Sequence, residues 1–253
     1  AEVGMSPFHL QRTFKRLVGV SPRAYGDARR VERLKTHLKR GDTVTRATYE
    51  AGFDSSAAAY SRAGTGIGMT PSEYRRGGQG VRIRYATAAS PVGRVLVAAT
   101  ERGVCAVTLG SDDASLETAL RGEYPAAEIT RASRNDTAIA SWIDAVVRHL
   151  EGKTRRVEVP MDVQGTAFQK KVWSALRDIP YGETRSYAQV ASSIGAPKSA
   201  RAVANACANN PVAIVIPCHR VTPATGDTGG YRWGPARKRQ ILAREHAIVA
   251  RSV

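Results

Sequence analysis

The chain is poor in cysteine, short of acidic side chains and free of long apolar runs. Each shortage removes a class of protein. Only Cys105, Cys207 and Cys218 occur among 253 residues. An odd number with no close pair argues against a disulfide framework and against a cysteine-rich zinc site, so no metal is expected. A reducing, cytoplasmic compartment is the expected setting. No apolar run approaches the ~20 residues needed to cross a bilayer, and the start carries no signal-peptide pattern, so no membrane partner is expected. The first residue is Ala1 rather than Met, and a processed product or a fragment is expected.

What the chain has instead is positive charge. Thirty-eight Lys and Arg stand against 22 Asp and Glu, giving +16 and a pI near 10.3. That balance suits a polyanion, and nucleic acid is the default candidate; a generically basic, solvated surface is the alternative. Residues 1–80 carry 14 basic and 7 acidic side chains, and residues 81–253 carry 24 and 15. A single charged tail therefore does not explain the excess. With 42% hydrophobic and 24% charged residues, the composition is that of a globular protein of about two domains.

Glycine marks the boundary. "RRGGQG", residues 75–80, is the clearest linker. Before it the pattern is helical: Ser6 is placed as an N-cap and Pro7 as the first helical residue. Leu10, Phe14, Leu17 and Val18 fall on one face, away from Arg12, Lys15 and Arg16. Ser21-Pro22 restarts a helix through Tyr25, Val31, Leu34 and Leu38. Further on, "GMTPSEY" echoes "GVSPRAY", so the segment reads as an internal repeat of helix-turn-helix units. The first unit is expected to lack most of its opening helix, and Gly64, Gly66 and Gly68 weaken the second.

After the linker, residues 82–110 alternate, are rich in Val and carry turn signals, which predicts a three-stranded antiparallel meander with Cys105 in its core. "SLETALRGEYP" and "ASWIDAVVRHLEG" read as amphipathic helices. Ser186 is placed before a helix through Tyr187, Val190, Ala191 and Ile194, ended by Gly195. Pro197 opens the turn, and "KSARAVANACANN" from Lys198 reads as a second helix. Ala200, Ala202, Ala204, Ala206 and Ala208 leave that helix nearly bare, with Arg201 its one large charged residue. A smooth helix can approach a narrow groove; high helix propensity alone is the other explanation.

"NPVAIVIPCHRV", residues 210–221, raises the sharpest question. The apolar run Val212–Ile216 predicts a strand covered on both faces, stopped by Pro217. A thiol and an imidazole follow at once. Cys218 could be a small core hydrophobe or a reactive group, and spacing alone leaves both open. Gly229-Gly230-Tyr231 reads as a tight turn presenting an aromatic. In the last helix Ile241, Leu242, Ile248 and Val249 define an apolar face on which Glu245 also lies. A buried carboxylate needs a partner, and His219 is the obvious one.

"GTAFQKKVW", "IPYGETRSY", "ARAV", "NPVAIVIPCHRV" and "GGYRWG" occur in the order found in O6-alkylguanine-DNA alkyltransferases, and the chain resembles that family from Gly165 to Glu245. The segment in front resembles the AraC-type DNA-binding domain, as in the Ada-type adaptive-response regulators. Their zinc domain has four cysteine ligands, and the three cysteines of this sequence lead to no expectation of one within it. The resemblance implies an α+β architecture: residues 1–76 an all-α AraC-like segment, 77–81 a linker, 82–160 a ribonuclease H-like sheet domain, and 161–253 a helical active-site and DNA-binding domain with its own helix-turn-helix. It implies irreversible transfer of the alkyl group from O6-methylguanine, and also from O4-methylthymine, to Cys218, without a cofactor. His219 would deprotonate the thiol through a water, Glu245 would orient and charge-stabilise His219, and Asn210 would hold the turn. Tyr187 would rotate the 3′ phosphate and donate a proton to guanine N3. Gly230, Tyr231, Arg232 and Trp233 would line the guanine pocket. Arg201 would replace the flipped base, on a helix approaching DNA through Ala200, Ala204 and Lys198. Arg12, Lys15 and Arg16 would contact DNA from the regulator segment. The implied partners are alkylated duplex DNA, promoter DNA and RNA polymerase, met by a monomer in a bacterial cytoplasm. Ala213 and Trp233 resemble the bacterial pattern of a pocket tight against benzyl-sized groups. Three rivals stand beside this reading: a transcription factor that only senses lesions, a binding protein that does not transfer, and a metal hydrolase using Cys218, His219 and Cys207. Retention of Cys218 counts against the second and the lack of ligand spacing against the third.

Overall fold

The computed structural model describes residues 6–18, 22–55, 57–59, 80–133, 135–163, 165–224 and 227–251. It divides into two compact units. One comprises Ala1–Arg76, Gln164–Ala175 and Tyr187–Ala206; the other comprises Gly77–Val163, Leu176–Ser186 and Cys207–Val253. The division is not sequential, because the chain after residue 163 alternates between the two. Among the described residues no helix is long and apolar enough to cross a membrane.

In the first unit, helix α1 (Pro7–Val18) begins where the cap predicts. The Ser6 hydroxyl accepts from His9 N at 3.2 Å, satisfying an N–H that the helix cannot pair internally. Helices α2 (Pro22–Lys39) and α3 (Val44–Glu50) bury Val31, Leu34, Leu38 and Ala47 in one cluster with Ala51, Phe53 and Ala59, which follow α3. Tyr25 does not join that core and is 44% exposed. It precedes Val31 by six residues, about 240° of helical rotation, which takes it off the stripe. The glycine-rich stretch 64–68, the "GMTPSEY" motif and most of the linker lie outside the described residues.

The same unit carries the helix-turn-helix that the sequence places after Ser186. A reciprocal capping box starts helix α6 (Ala167–Arg177): Thr166 N donates to Gln169 Oε1 at 2.8 Å, and Gln169 N donates to Thr166 Oγ1 at 3.1 Å. Trp173 of this helix donates its indole N–H to Ala206 O at 2.9 Å. Helix α7 (Tyr187–Ser193) ends at Gly195, whose φ of 71° allows Ala196 N to reach back to Ala191 O at 2.8 Å. Helix α8 (Ala200–Ala208) follows.

In the second unit the expected meander is present as β1 (Arg82–Ser90), β2 (Gly93–Thr100) and β3 (Gly103–Gly110). Helix α4 (Asp113–Glu123), capped by Asp112, crosses to a short strand β4 (Glu128–Arg131) that pairs parallel to β1. The sheet order is β3-β2-β1-β4. Ile83, Leu96, Ala98, Cys105, Leu116, Leu120 and Ile129 form one core cluster. Helix α5 (Thr137–Leu150) packs on β1 and β2, which is why β2 is buried along nearly its whole length. The parallel fourth strand escapes the sequence reading because "EITR" is four residues with a single buried side chain.

The expected strand over Val212–Ile216 is absent. Val212 forms one isolated bridge with Val107, and the chain then turns. Pro211 and Pro217 bracket the run, so it cannot sustain a ladder on both sides. The Asn210 side chain supplies the missing partners: it accepts from Val212 N at 3.0 Å and donates to Ile216 O at 2.8 Å. The run is apolar because it is a buried turn.

Candidate active site

That turn delivers Cys218. Within it Ile214 is forced to φ 71°, a left-handed conformation that a β-branched residue adopts only when its surroundings over-determine it. Cys218 opens a 3₁₀ turn (Cys218–Arg220) that leads into β6 (Val221–Thr222), paired in parallel with β5 (Arg185–Ser186). Asn210 is fully buried and has a third bond, from Nδ2 to Cys218 Sγ at 3.2 Å. Burial pushes the Cys218 thiol up to about 11, while the Asn210 hydrogen bond and the Lys238 and Arg232 charges pull the other way without prevailing. The resting group is therefore a thiol, despite the histidine beside it in the chain. Cys105 and Cys207 are pushed up further still, again by burial.

His219 has no solvent exposure. Its Nε2 lies 2.9 Å from Glu245 Oε1, so in the neutral ring the proton sits on Nε2, assigned from the carboxylate it faces. Nδ1 is buried and meets no hydrogen-bond partner among the described residues. Burial lowers the basicity of the ring and outweighs the Glu245 interactions that raise it. Helix α9 (Pro235–Ala250) brings Glu245 inward on the face that also carries Lys238, Ile241 and Leu242. Burial alone would raise the Glu245 carboxyl; hydrogen bonds and charge from His219 and Arg220 hold it well below the usual carboxylate range. Its Oε1 also accepts from Arg220 Nη2 at 2.9 Å, and Oε2 accepts from Arg220 Nε at 2.9 Å and Gly182 N at 3.1 Å. A side chain at Gly182 would be strained: the backbone has φ 80°, and a Cβ would lie 2.6 Å from the Val249 side chain.

The pocket loop stands in the same unit. Tyr231 and Trp233 meet edge to face at 5.0 Å, and Arg232 Nη1 donates to Asn210 O at 3.4 Å. The Tyr231 hydroxyl is buried and unpartnered among the described residues. Burial raises this phenol well above its usual range, and the Cys218 and Glu245 charges push the same way. Lys238, fully buried, donates from Nζ to Val221 O at 2.6 Å and Gly230 O at 3.5 Å, tying the strand after Cys218 to this loop. Cys218, His219, Asn210, Glu245, Gly230, Tyr231, Arg232 and Trp233 thus belong to one unit. Tyr187, Lys198, Ala200, Arg201 and Ala204 belong to the other, on α7, α8 and the turn between them, with Arg201 exposed. Arg12 is exposed on α1; the side chains of Lys15 and Arg16 lie outside the described ones. Among the described residues no group of three or more His, Cys, Asp or Glu could hold a metal ion.

Comparison with known proteins bears on this arrangement directly. Residues 1–77 match a helix-turn-helix domain family, 83–163 the ribonuclease-like domain of 6-O-methylguanine DNA methyltransferase, and 167–247 the DNA-binding domain of the same enzyme. The bifunctional transcriptional activator/DNA repair enzyme Ada of Escherichia coli is 47% identical over 244 residues, 96% of this chain and 68% of that protein. The chain belongs to the methylated-DNA–protein-cysteine methyltransferase family. A methyltransferase of that name from Mycolicibacterium paratuberculosis is 39% identical over 163 residues, 64% of this chain and 92% of its own. The crystal structure of Mycobacterium tuberculosis OGT in complex with DNA superposes with a TM-score of 0.55 at 35% identity, covering 65% of this chain and 94% of that one.

Four groups at this alkyltransferase site went unassigned in the sequence reading: Arg220, Lys238, Gly182 and His149. Arg220 stands inside the quoted Pro-Cys-His-Arg-Val motif. Lys238 lies seven residues before Glu245, two turns along the same inward face, so its helical phase could have found it. Gly182 and His149 leave no local pattern that separates them from ordinary turn and helix residues.

Proposed function

We propose that this chain repairs DNA by moving the methyl group of O6-methylguanine onto Cys218, once per molecule and irreversibly. The sulfur attacks the methyl carbon; the S–C bond forms as the C–O6 bond breaks, and guanine leaves. The thiol proton passes through a water to the free Nδ1 of His219, and guanine recovers a proton as its O6 becomes a carbonyl. Because the resting thiol is protonated, deprotonation accompanies attack, and Glu245 stabilises the imidazolium while it exists. The observation that carries this reading is a buried thiol followed by a histidine with one ring nitrogen bonded to a buried carboxylate and the other left open. A thioether in that turn has no leaving route, so the protein is consumed.

O6 cannot meet a sulfur inside the duplex, so the base is flipped out. Arg201 fills the gap, and Tyr187 turns the 3′ phosphate and supplies a proton to guanine N3. Ala200, Ala204 and Lys198 face the DNA. The pocket of Gly230, Tyr231, Arg232 and Trp233 receives the base, and O4-methylthymine shares it. The test is stoichiometry: duplex carrying labelled O6-methylguanine should give up at most one methyl per chain, and more methyls removed than protein present would overturn the proposal.

A second role rests on the helix-turn-helix match over residues 1–77 and on the name of the Escherichia coli relative. Residues 1–76 contact promoter DNA through Arg12, Lys15 and Arg16 and approach RNA polymerase, with the chain acting as a monomer in the bacterial cytoplasm. Footprinting before and after alkylation tests it; protection that never exceeds that of a random duplex counts against it.

A further inference from the structure

The relay does not end at Glu245. His149, near the end of α5, is 3% exposed, and its ring stands edge-on to Tyr181 at 5.2 Å. Its Nε2 lies 3.4 Å from Arg220 Nη2 and 3.8 Å from Glu245 Oε1. The Arg220 donors show what this contact does. Nε goes to Glu245 Oε2, one Nη2 hydrogen to Glu245 Oε1, and Nη1 to Ile179 O at 2.9 Å. The second Nη2 hydrogen is left facing His149. Only an unprotonated nitrogen can accept it, so the ring is neutral with its proton on Nδ1. Nδ1 makes no hydrogen bond of good geometry among the described residues, although the Thr154 backbone acts on the ring and raises its pKa. The ring borders a small cleft, with room for about one water, also lined by Tyr181, Ile241, Arg244 and Glu245. A water there would complete the ring's bonding. The charged and titratable groups around the ring are Arg220, His219, Glu245, Arg244 and Tyr181, with Arg155 stacked on the Tyr181 ring. Burial first and the Arg220 charge second push His149 down to about 4, against the pull of Glu245.

We propose that His149 is a positioning residue: as a neutral acceptor it fixes the plane of the Arg220 guanidinium, which fixes Glu245, which sets the ring of His219. A guanidinium with one buried hydrogen unmatched turns to find another acceptor, and its two-pronged grip on Glu245 turns with it. The kinetic consequence rests on the alkyl-transfer reading above; the tautomer does not. His149→Phe keeps a ring against Tyr181 and removes the acceptor, whereas His149→Gln places an amide oxygen near the Nε2 position. Single-turnover transfer should be about tenfold slower in His149→Phe, the low end of what losing an outer partner costs elsewhere, and close to wild type in His149→Gln. In ¹⁵N-histidine spectra of the wild-type protein at neutral pH, His149 should show a protonated Nδ1 and a bare Nε2. Wild-type rates in His149→Phe, or equal losses in both variants, would overturn the proposal. Should neither variant fold, an Nε2–H tautomer or an imidazolium in the wild-type spectrum would do the same. If the wild-type chain transfers no methyl at all, the alkyl-transfer reading fails, and the tautomer alone decides this one.

Discussion

Glu245→Gln keeps the shape of the side chain and removes its charge, and the surrounding donors set the cost. The four donors around the carboxylate are His219 Nε2 and Arg220 Nη2 on one oxygen, Arg220 Nε and Gly182 N on the other. A glutamine offers one acceptor and one NH₂, so whichever way the amide turns, two donors face a donor. His219 can relieve one clash by moving its proton to Nδ1, but that consumes the lone pair needed for the chemistry. Arg220, 4% exposed, is left as a buried charge without its counter-ion. Removing one partner of such a pair costs about 3–5 kcal/mol. An amide is ordinarily cheaper to bury than a carboxylate, but not where four donors converge on the acceptor. The melting midpoint should fall by about 10 °C, taking 2–4 °C per kcal/mol for a chain of this size. Single-turnover methyl transfer, measured well below that midpoint, should fall by roughly 10²–10⁴, the contribution of general-base catalysis. The assay is a calorimetric melt paired with quenched-flow transfer on O6-methylguanine duplex. A variant that melts with the wild type and transfers at its rate would refute both the bonding scheme and the relay.

The same geometry has consequences at other positions. His149 is held neutral to about pH 4, whereas an unfolded histidine takes its proton near 6.5. The unfolded state therefore binds more protons between those values, and stability should drop by about 3 kcal/mol as pH falls from 6.5 to 4. Melts of wild type and His149→Gln across that window check it; parallel curves would count against it. The Cys218 thiol, raised to about 11, should react with iodoacetamide at a rate still climbing above pH 9, and a plateau near neutrality would show the thiolate to be preformed. Arg201→Ala should slow repair of duplex DNA far more than reaction with free O6-methylguanine base, because unstacking costs a few kcal/mol that its guanidinium offsets. Equal slowing of both would assign Arg201 to the chemistry or the fold.

How much of this was legible in the sequence depended on the reach of each signal. Caps, the alternation of residues 82–110 and the inward phase of Glu245 are local, and each could be read from neighbours a few positions away. The turn at 210–217 was misread because an unbroken apolar run has the same composition in a buried strand and a buried turn. What decides between them is a single side chain, Asn210, bonding across the loop. The raised pKa of Cys218 is illegible for a related reason: a neighbouring histidine is visible in the sequence, and the burial that raises the thiol is not. Arg220 and His149 sit 71 residues apart and meet only in the fold. No spacing rule joins them.

The central claim is that Cys218 itself becomes the thioether. Trypsin leaves residues 202–220 as one peptide holding both Cys207 and Cys218, so fragment sequencing of that peptide is needed after incubation with O6-methylguanine duplex. One added methyl group per chain should appear on the fragment ions that contain Cys218 and on none that stop at Cys207. A methyl on Cys207 or Cys105, or an unmodified peptide after the DNA has been repaired, would contradict it.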